Sequence, residues 1–97
     1  MRKVTWSDLA EFDYDENIDF LLKRWGFNEA GEFVTKVEEI IFNLKKGTVN
    51  YQPSKYKGLK KCVVCKRIIL YYRVRSDNEI ELVRFWNTYK DDKNISY

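Results

Sequence analysis

The C-terminal stretch of the chain concentrates side chains that can contact phosphate groups and aromatic bases. The segment ELVRFWNTYKDDKNISY closes the sequence and carries Arg84, Phe85, Trp86, Tyr89 and Lys90 within a few positions of one another. Arginine and lysine attract phosphates, whereas aromatic rings offer flat surfaces on which bases stack. The chain contains no histidine, so this array has to work without the side chain that most often transfers protons near neutral pH.

Two cysteines form the other pattern that is associated with chemistry. Cys62 and Cys65 make a Cys-x-x-Cys pair, but neither a second pair nor a histidine completes the four ligands of a structural zinc site. Val63 and Val64 place the pair inside a strand, away from the helix start at which a redox thiol is activated. Residues three apart on a strand point to opposite faces. We therefore predict two reduced cysteines that act as small apolar side chains, and no metal or cofactor.

The charge of the chain is unevenly distributed. Residues 1–44 carry five Lys or Arg and ten Asp or Glu, a net charge of −5, whereas residues 45–97 carry thirteen and five, a net charge of +8. Such asymmetry predicts that the second half attracts nucleic acid or an acidic protein segment. The acidic residues Asp13, Asp15, Glu16 and Asp19 lack the spacing of a calcium-binding loop, so we interpret them as one solvated helix face.

Length and composition limit the class of protein. At 97 residues, with 44% hydrophobic and 34% charged residues, the chain has the size and composition of a single folded domain spanning residues 1–97. No signal-like segment opens it, and its longest apolar run, residues 68–72, is too short to cross a bilayer. We therefore expect a cytoplasmic location without membrane contact.

Two helices are predicted in the first half, after a short strand at residues 3–6. Ser7 is a suitable N-cap for a helix that runs to about Trp25, with Tyr14, Ile18, Leu21, Leu22 and Trp25 on one apolar face. Gly26 ends that helix. Asn28 can cap a second helix that extends to residues 45–47, and its apolar positions repeat at intervals of three and four. A connection this short predicts an antiparallel helix hairpin.

Three strands are predicted in the second half, after a loop at residues 47–58. They span residues 59–65, 68–75 and 79–85, with turns near Lys66 and Arg67 and at residues 76–78. The order β-α-α-β-β-β predicts an α+β, two-layer fold, in which the helix hairpin packs on one face of a mainly antiparallel four-stranded sheet.

Alternation on the strands predicts which side chains face the helices. On the middle strand Ile68, Leu70, Tyr72 and Val74 suit the core, whereas the intervening side chains, Ile69, Tyr71, Arg73 and Arg75, point to a face that no predicted element covers. On the last strand both Leu82 and its near neighbours Val83 and Phe85 are apolar. This interruption predicts a β-bulge, and it leaves the direction of Arg84 open.

At this level the chain resembles the RelE/ParE superfamily of type II toxin–antitoxin toxins. The similarity lies in the element order together with VTWS at the first strand, WG at the helix turn, LKKCVVCKRIILYYRV and ELVRFWNTYKDDKNI, and it spans nearly the whole chain. The most similar pattern is the branch described as plasmid stabilisation proteins. The resemblance implies the α+β fold given above, a growth-inhibiting toxin, and a cognate antitoxin, encoded nearby, that holds the toxin inactive.

The resemblance also implies candidate site residues. In the ribosome-dependent branch, a basic sheet face binds mRNA and the 2′-hydroxyl attacks the adjacent phosphate, a step that Lys, Arg and Tyr can assist. Carried over by position, Lys66, Arg84 and Tyr89 are the candidate catalytic residues, although relatives usually have arginine where Tyr89 stands. The candidate RNA- or target-binding residues are Lys60, Lys61, Arg67, Tyr71, Arg73, Trp86 and Lys90.

We predict the first of three functions that remain open at this level. The chain is an endoribonuclease that acts on mRNA at the ribosome, or a ParE-like toxin that inhibits DNA gyrase through surface contacts without catalysis, or a degenerate toxin that retains antitoxin binding alone. The charge of the second half favours the first function, and tyrosine at position 89 favours the second. We expect the antitoxin to dock an acidic, amphipathic tail on the helix groove or at a sheet edge.

Overall fold

The protein folds as two helices against a four-stranded mixed sheet, as seen in a computed structural model that describes residues 1–89 and 95–97. The elements in chain order are β1 (Lys3–Trp6), α1 (Asp8–Arg24), α2 (Phe27–Lys46), β2 (Lys60–Cys65), β3 (Ile68–Ser76) and β4 (Glu79–Asn87). The strands lie in the order β1-β4-β3-β2, and β1 pairs with β4 in parallel, whereas the other neighbours are antiparallel. The predicted α+β architecture is confirmed.

Local signals at the helix ends account for the hairpin. The Ser7 hydroxyl accepts a hydrogen bond from the Ala10 N–H at 3.0 Å, so the predicted cap of α1 is confirmed. The predicted cap of α2 at Asn28 is wrong. Gly26, at φ 111°, reverses the chain immediately after α1, so α2 already begins at Phe27 and has no side-chain cap.

The main core lies between the helix pair and one face of the sheet. Phe33, Val37, Ile40 and Leu44 of α2 are nearly inaccessible to solvent and belong to one apolar cluster with the inward side chains of the strands. The strand members of this cluster are Cys62, Val64, Ile68, Leu70, Tyr72, Ile80, Leu82 and Phe85. The regular spacing on α2 therefore predicts its buried face correctly.

The predicted apolar face of α1 is only partly correct, because polar side chains occupy two of its buried positions. Asp13 is 7% exposed and Asn17 is 2% exposed, whereas Leu22 and Trp25 are 39% and 36% exposed. The sheet explains this arrangement. β1 pairs only with Glu79–Leu82 of β4, so among the described residues the backbone of the second half of β4 has no strand neighbour on that side.

Side chains of α1 take the place of the missing strand. The Ser7 hydroxyl donates to the Val83 carbonyl at 2.8 Å, and the Asn17 amide donates to the Phe85 carbonyl at 3.0 Å. The Asp13 carboxylate accepts from the Phe85 N–H at 3.1 Å. These bonds satisfy buried backbone groups that would otherwise be costly to remove from water.

Asp13 also pairs with Arg84, which corrects the prediction that it lies on a solvated helix face. The Arg84 Nε donates to one Asp13 carboxylate oxygen at 2.6 Å, and the Arg84 Nη2 donates to the other at 2.9 Å. Both side chains are about nine-tenths buried. A bidentate pair of this kind is strong because both partners are charged and the geometry is fixed.

The predicted bulge on β4 is confirmed and determines which side chains face the helices. Tyr71 pairs with Arg84 and Tyr72 pairs with Leu82, so Val83 is an extra residue on β4. Because of this extra residue, Leu82 and Phe85 both lie in the main core, whereas Val83 lies in a second apolar cluster.

That second cluster covers the sheet face that the sequence predicts to be free. Leu59, Tyr71, Val83 and Ile95 are each less than a tenth exposed there. The Tyr56 ring packs against Tyr71 at a centroid distance of 5.4 Å, and the Tyr56 hydroxyl accepts from the Ile95 N–H at 3.1 Å. The loop before β2 and the C-terminal residues therefore close this face.

Two further predictions on the strands need correction. A bulge between Val63 and Cys65 changes the phase of β2, so both cysteines contact the main core and do not point to opposite faces. Val74, predicted to be in the core, is 46% exposed because β2 begins opposite Tyr72 and does not extend beside it. Both thiols are free, as predicted.

We predict that Asp13→Asn destabilises the protein by about 3 kcal/mol, because it leaves the Arg84 guanidinium buried without a countercharge. Urea unfolding at pH 7 measures the free energy of unfolding. Asp15→Asn is the matched control, since Asp15 is exposed on the same helix and should change stability by less than about 0.5 kcal/mol. Equal effects of the two substitutions would contradict a structural role for the Asp13–Arg84 pair.

Candidate nucleic-acid interface

Arg84, a predicted catalytic residue, is held by contacts within the protein. Besides its two hydrogen bonds to Asp13, its Nη1 donates to the Ser96 carbonyl, and its guanidinium carbon lies 5.0 Å from the centroid of the Trp86 ring. Trp86 also packs against the second apolar cluster. These two predicted site residues therefore lie together, but the hydrogen-bonding groups of Arg84 are largely occupied.

Lys66, the second predicted catalytic residue, lies in the tight turn between β2 and β3. Its backbone has a φ of 41°, a left-handed conformation that few residues other than glycine, asparagine and aspartate adopt. The Lys66 Nζ lies 4.9 Å from the centroid of the Trp25 ring at the end of α1. The turn thus directs a cation onto an aromatic ring of the helix hairpin.

Tyr89, the third predicted catalytic residue, lies beside the same ring. The Tyr89 and Trp25 centroids are 5.2 Å apart, and Phe20 stacks on Tyr89 at 5.9 Å. Thr88 fixes this arrangement, because its hydroxyl donates to the Arg67 carbonyl at 2.7 Å and accepts from the Arg67 Nε at 3.1 Å. The end of β4 is in this way tied to the β2–β3 turn.

Three aromatic rings and three cations meet at this end of the molecule, and we refer to them as the aromatic–cation cluster. Its members are Phe20, Arg24, Trp25, Lys66, Arg67 and Tyr89. The guanidinium carbon of Arg24 lies 5.1 Å from the Trp25 ring centroid and 5.6 Å from that of Tyr89, and Arg67 lies 5.5 Å from Tyr89. These are cation–π distances.

The cations of the cluster carry no carboxylate partner within the described residues. The salt bridges found in residues 1–89 and 95–97 join Lys36 to Glu39, Arg73 and Arg75 to Glu81, and Arg84 to Asp13. Arg24, Lys66 and Arg67 take part in none of them. Together with the exposed Trp25 ring, they form a surface with the chemistry of a single-stranded nucleic-acid site, in which cations contact phosphates and rings stack on bases.

The remaining predicted binding residues lie elsewhere. Lys60 donates to the Asn50 side chain beside β2, and Lys61 lines a depression with Lys36 and Tyr51. Arg73 faces Glu81 at 3.2 Å, further along the sheet. Tyr71 does point away from the helices, but it is buried under Tyr56. Lys90 lies outside the described residues.

Burial holds several thiol and phenol groups in their protonated forms. It raises the pKa of Tyr51 to about 12, and it also raises the pKa values of Cys62, Cys65, Tyr71 and Tyr72 above their ordinary values. A buried thiol with a raised pKa is a poor nucleophile. Within the described residues, no group of three or more His, Cys, Asp or Glu side chains could hold a metal ion.

The sequence does not predict Phe20, Arg24 and Trp25 as candidate site residues. Its apolar spacing predicts that Trp25 lies on the apolar face of α1, and Phe20 lies off that face. Two signals could have identified them. One is an aromatic residue off the apolar face, and the other is the Arg-Trp pair directly before the glycine that ends the helix.

In the part of the chain that the structure describes, no helix is both long and apolar enough to cross a membrane.

We predict that Thr88→Val loosens the aromatic–cation cluster while leaving the core intact. The substitution keeps the shape of the side chain but removes both hydrogen bonds of the hydroxyl with Arg67, at a cost of about 1 kcal/mol, and leaves the backbone hydrogen bond from the residue 88 N–H to the Arg67 carbonyl in place. In NMR spectra the Tyr89 ring signals should move towards random-coil positions. Thr88→Ser keeps the hydroxyl and should leave them in place. Unchanged Tyr89 signals in the valine variant would contradict the positioning role of Thr88.

Comparisons with known proteins agree with this architecture. Residues 4–91 match the family model described as the ParE toxin of the type II toxin–antitoxin system parDE. A structure of the chromosomal ParDE system from P. aeruginosa is similar, with 21% identity, a TM-score of 0.72, and coverage of 90% of this chain and 96% of that chain. The E. coli DinJ–YafQ complex follows at 17% identity, a TM-score of 0.63, and coverage of 96% and 100%.

A third similar structure is the YoeB–YefM toxin–antitoxin complex from Staphylococcus aureus. It is 20% identical, with a TM-score of 0.57, and covers 88% of this chain and 94% of that chain. No protein of curated function matches the sequence. Identities this low show a shared fold alone, but the family model spans most of the chain. The chain therefore belongs to the ParE toxin family of type II toxin–antitoxin systems, within the RelE/ParE superfamily.

Proposed function

We propose that this toxin inhibits growth by acting on mRNA at the ribosome, and that the aromatic–cation cluster is the surface that contacts the RNA. The observation that supports this most is that Arg24, Lys66 and Arg67 surround Trp25 and Tyr89 without a carboxylate partner in the described residues. Unpaired cations that lie over aromatic rings favour a ligand that is both anionic and aromatic, as single-stranded RNA is.

The same residues supply groups for RNA cleavage. In this reaction the 2′-hydroxyl loses its proton to a solvent water and its oxygen attacks the adjacent phosphorus, the bond to the 5′ oxygen breaks, and a 2′,3′-cyclic phosphate and a 5′-hydroxyl are formed. Lys66 and Arg67 would stabilise the extra negative charge on the phosphorane, and the Tyr89 hydroxyl would donate a proton to the leaving oxygen. We assign Arg84 a positioning role, because its contacts with Asp13 hold β4 in place.

A second candidate function is inhibition of DNA gyrase through protein contacts. The pairing of Arg84 with Asp13 favours this second function. A guanidinium that is bound to a carboxylate cannot also bind an RNA phosphate, so a cleavage site would lack an arginine on β4. In that case the aromatic–cation cluster would contact gyrase and have no catalytic role. The two candidates differ in which macromolecular synthesis stops first.

We further propose that a cognate antitoxin binds and neutralises this toxin, and the similar structures that are toxin–antitoxin complexes support such a partner. The cluster presents three cations, so an acidic segment that folds over it would provide both charge neutralisation and steric cover. An antitoxin that binds there would compete directly with RNA.

We predict that induction of the wild-type chain in growing bacteria stops methionine incorporation before thymidine incorporation. Lys66→Ala combined with Arg67→Ala should reduce the inhibition at least about tenfold, because two phosphate-contacting cations are lost. Lys45→Ala is the matched control, since it removes a lysine from the C-terminal end of α2, beside Arg2. Thymidine incorporation failing first would overturn the ribosome-directed function and favour gyrase.

A further inference from the structure

We propose that Arg24 is the main phosphate-binding arginine of this toxin, and that α1 therefore contributes directly to RNA recognition. This inference rests on the proposed function, because it specifies how the aromatic–cation cluster would grip its substrate. Arg24 was not among the residues that the sequence predicts for the site. Its assignment comes from how its guanidinium is held compared with the other described arginines.

Arg24 differs from the other described arginines in having neither a side-chain hydrogen bond nor a salt bridge within the described residues. The guanidinium groups of these other arginines contact internal acceptors: Arg2 contacts the Leu44 carbonyl, Arg67 contacts Thr88, Arg73 and Arg75 contact Glu81, and Arg84 contacts Asp13. Within residues 1–89 and 95–97, Arg24 has ring contacts but no side-chain hydrogen bond or salt bridge. Its N–H donors therefore have no acceptor among the described residues and are candidates for binding a ligand.

Three rings hold this guanidinium in place. Its central carbon lies 5.8 Å from the centroid of Phe20, 5.1 Å from that of Trp25 and 5.6 Å from that of Tyr89. A guanidinium can stack on aromatic faces and still direct its edge N–H groups at an anion. Because the rings already restrict the side chain, less conformational entropy is lost when a ligand binds.

The surroundings of Arg24 favour a phosphodiester over an isolated carboxylate. Lys66 shares the Trp25 ring with Arg24, and Arg67 shares the Tyr89 ring, so three positive charges converge on two adjacent rings. A single-stranded RNA offers a repeated phosphate for these charges and a base for the partly exposed Trp25. Arginine binds a phosphate through two parallel hydrogen bonds, which a lysine cannot reproduce.

The test is the affinity of the purified full-length chain for a fluorescein-labelled, single-stranded RNA of mixed sequence whose 2′-hydroxyls are methylated to prevent cleavage. Arg24→Ala should weaken binding roughly tenfold and lower the slope of log affinity against log salt concentration by about 1. Arg24→Lys should also bind RNA more weakly than the wild type. It should regain less than half of the decrease in log affinity that Arg24→Ala shows. Lys23→Ala, the preceding and equally charged exposed residue, should change affinity less than about twofold.

The outcomes separate this inference from the proposed function. If the wild-type chain binds RNA and Arg24→Ala binds equally well, the role of Arg24 is overturned and the proposed function stands. Equal losses in Arg24→Ala and Lys23→Ala, or full recovery in Arg24→Lys, would show that net charge alone matters and would also overturn it. If the wild-type chain binds no RNA and instead binds an acidic peptide through Arg24, both proposals are overturned. Thermal unfolding of each variant verifies that the fold is retained.

Discussion

The buried contact between α1 and the open edge of β4 is the interaction on which the other features depend. β1 is four residues long and leaves the second half of β4 without a strand neighbour. Asp13 resolves this by binding the Phe85 N–H and the Arg84 guanidinium with the same carboxylate. This contact fixes α1 against β4 and so determines the relative position of their C-terminal ends. Both ends lie at the aromatic–cation cluster. The Asp13–Arg84 pair thereby helps to position the aromatic residues of the cluster.

Both faces of the sheet are covered by apolar clusters, and the proposed RNA-contacting surface lies at one end of the molecule. The helices cover one face, and Tyr56, Ile95 and their neighbours cover the other. Three of the thirteen cationic residues in the second half are paired with carboxylates in the described part of the chain. Arg73 and Arg75 share Glu81, and Arg84 is neutralised by Asp13. The cations at the end of α1 and at the β2–β3 turn have no carboxylate partner in the described residues. They are the basis of the proposed RNA contact.

The sequence predicts the elements well because their signals are local. Alternation and turns give the strands to within a few residues, and the regular apolar spacing of α2 gives its buried face. The errors arise where burial depends on distant partners. The sequence around Asp13 predicts a solvated helix residue, because its partner Arg84 lies 71 positions later in the chain. Strand alternation predicts that the outer sheet face is free, but the loop before β2 covers it. Arg24 and Trp25 belong to the site only because the β2–β3 turn and the end of β4 reach them.

The most direct test of this account is to map where a non-cleavable single-stranded RNA contacts the full-length protein by NMR. We predict that the largest shifts occur at the Trp25 indole, the Tyr89 ring and the Arg24 and Arg67 side chains. The signals of Tyr56 and Tyr71 on the opposite sheet face should change little. Shifts concentrated at Tyr56, Tyr71 and Trp86, with the aromatic–cation cluster unchanged, would contradict the account and place RNA recognition on the covered face of the sheet.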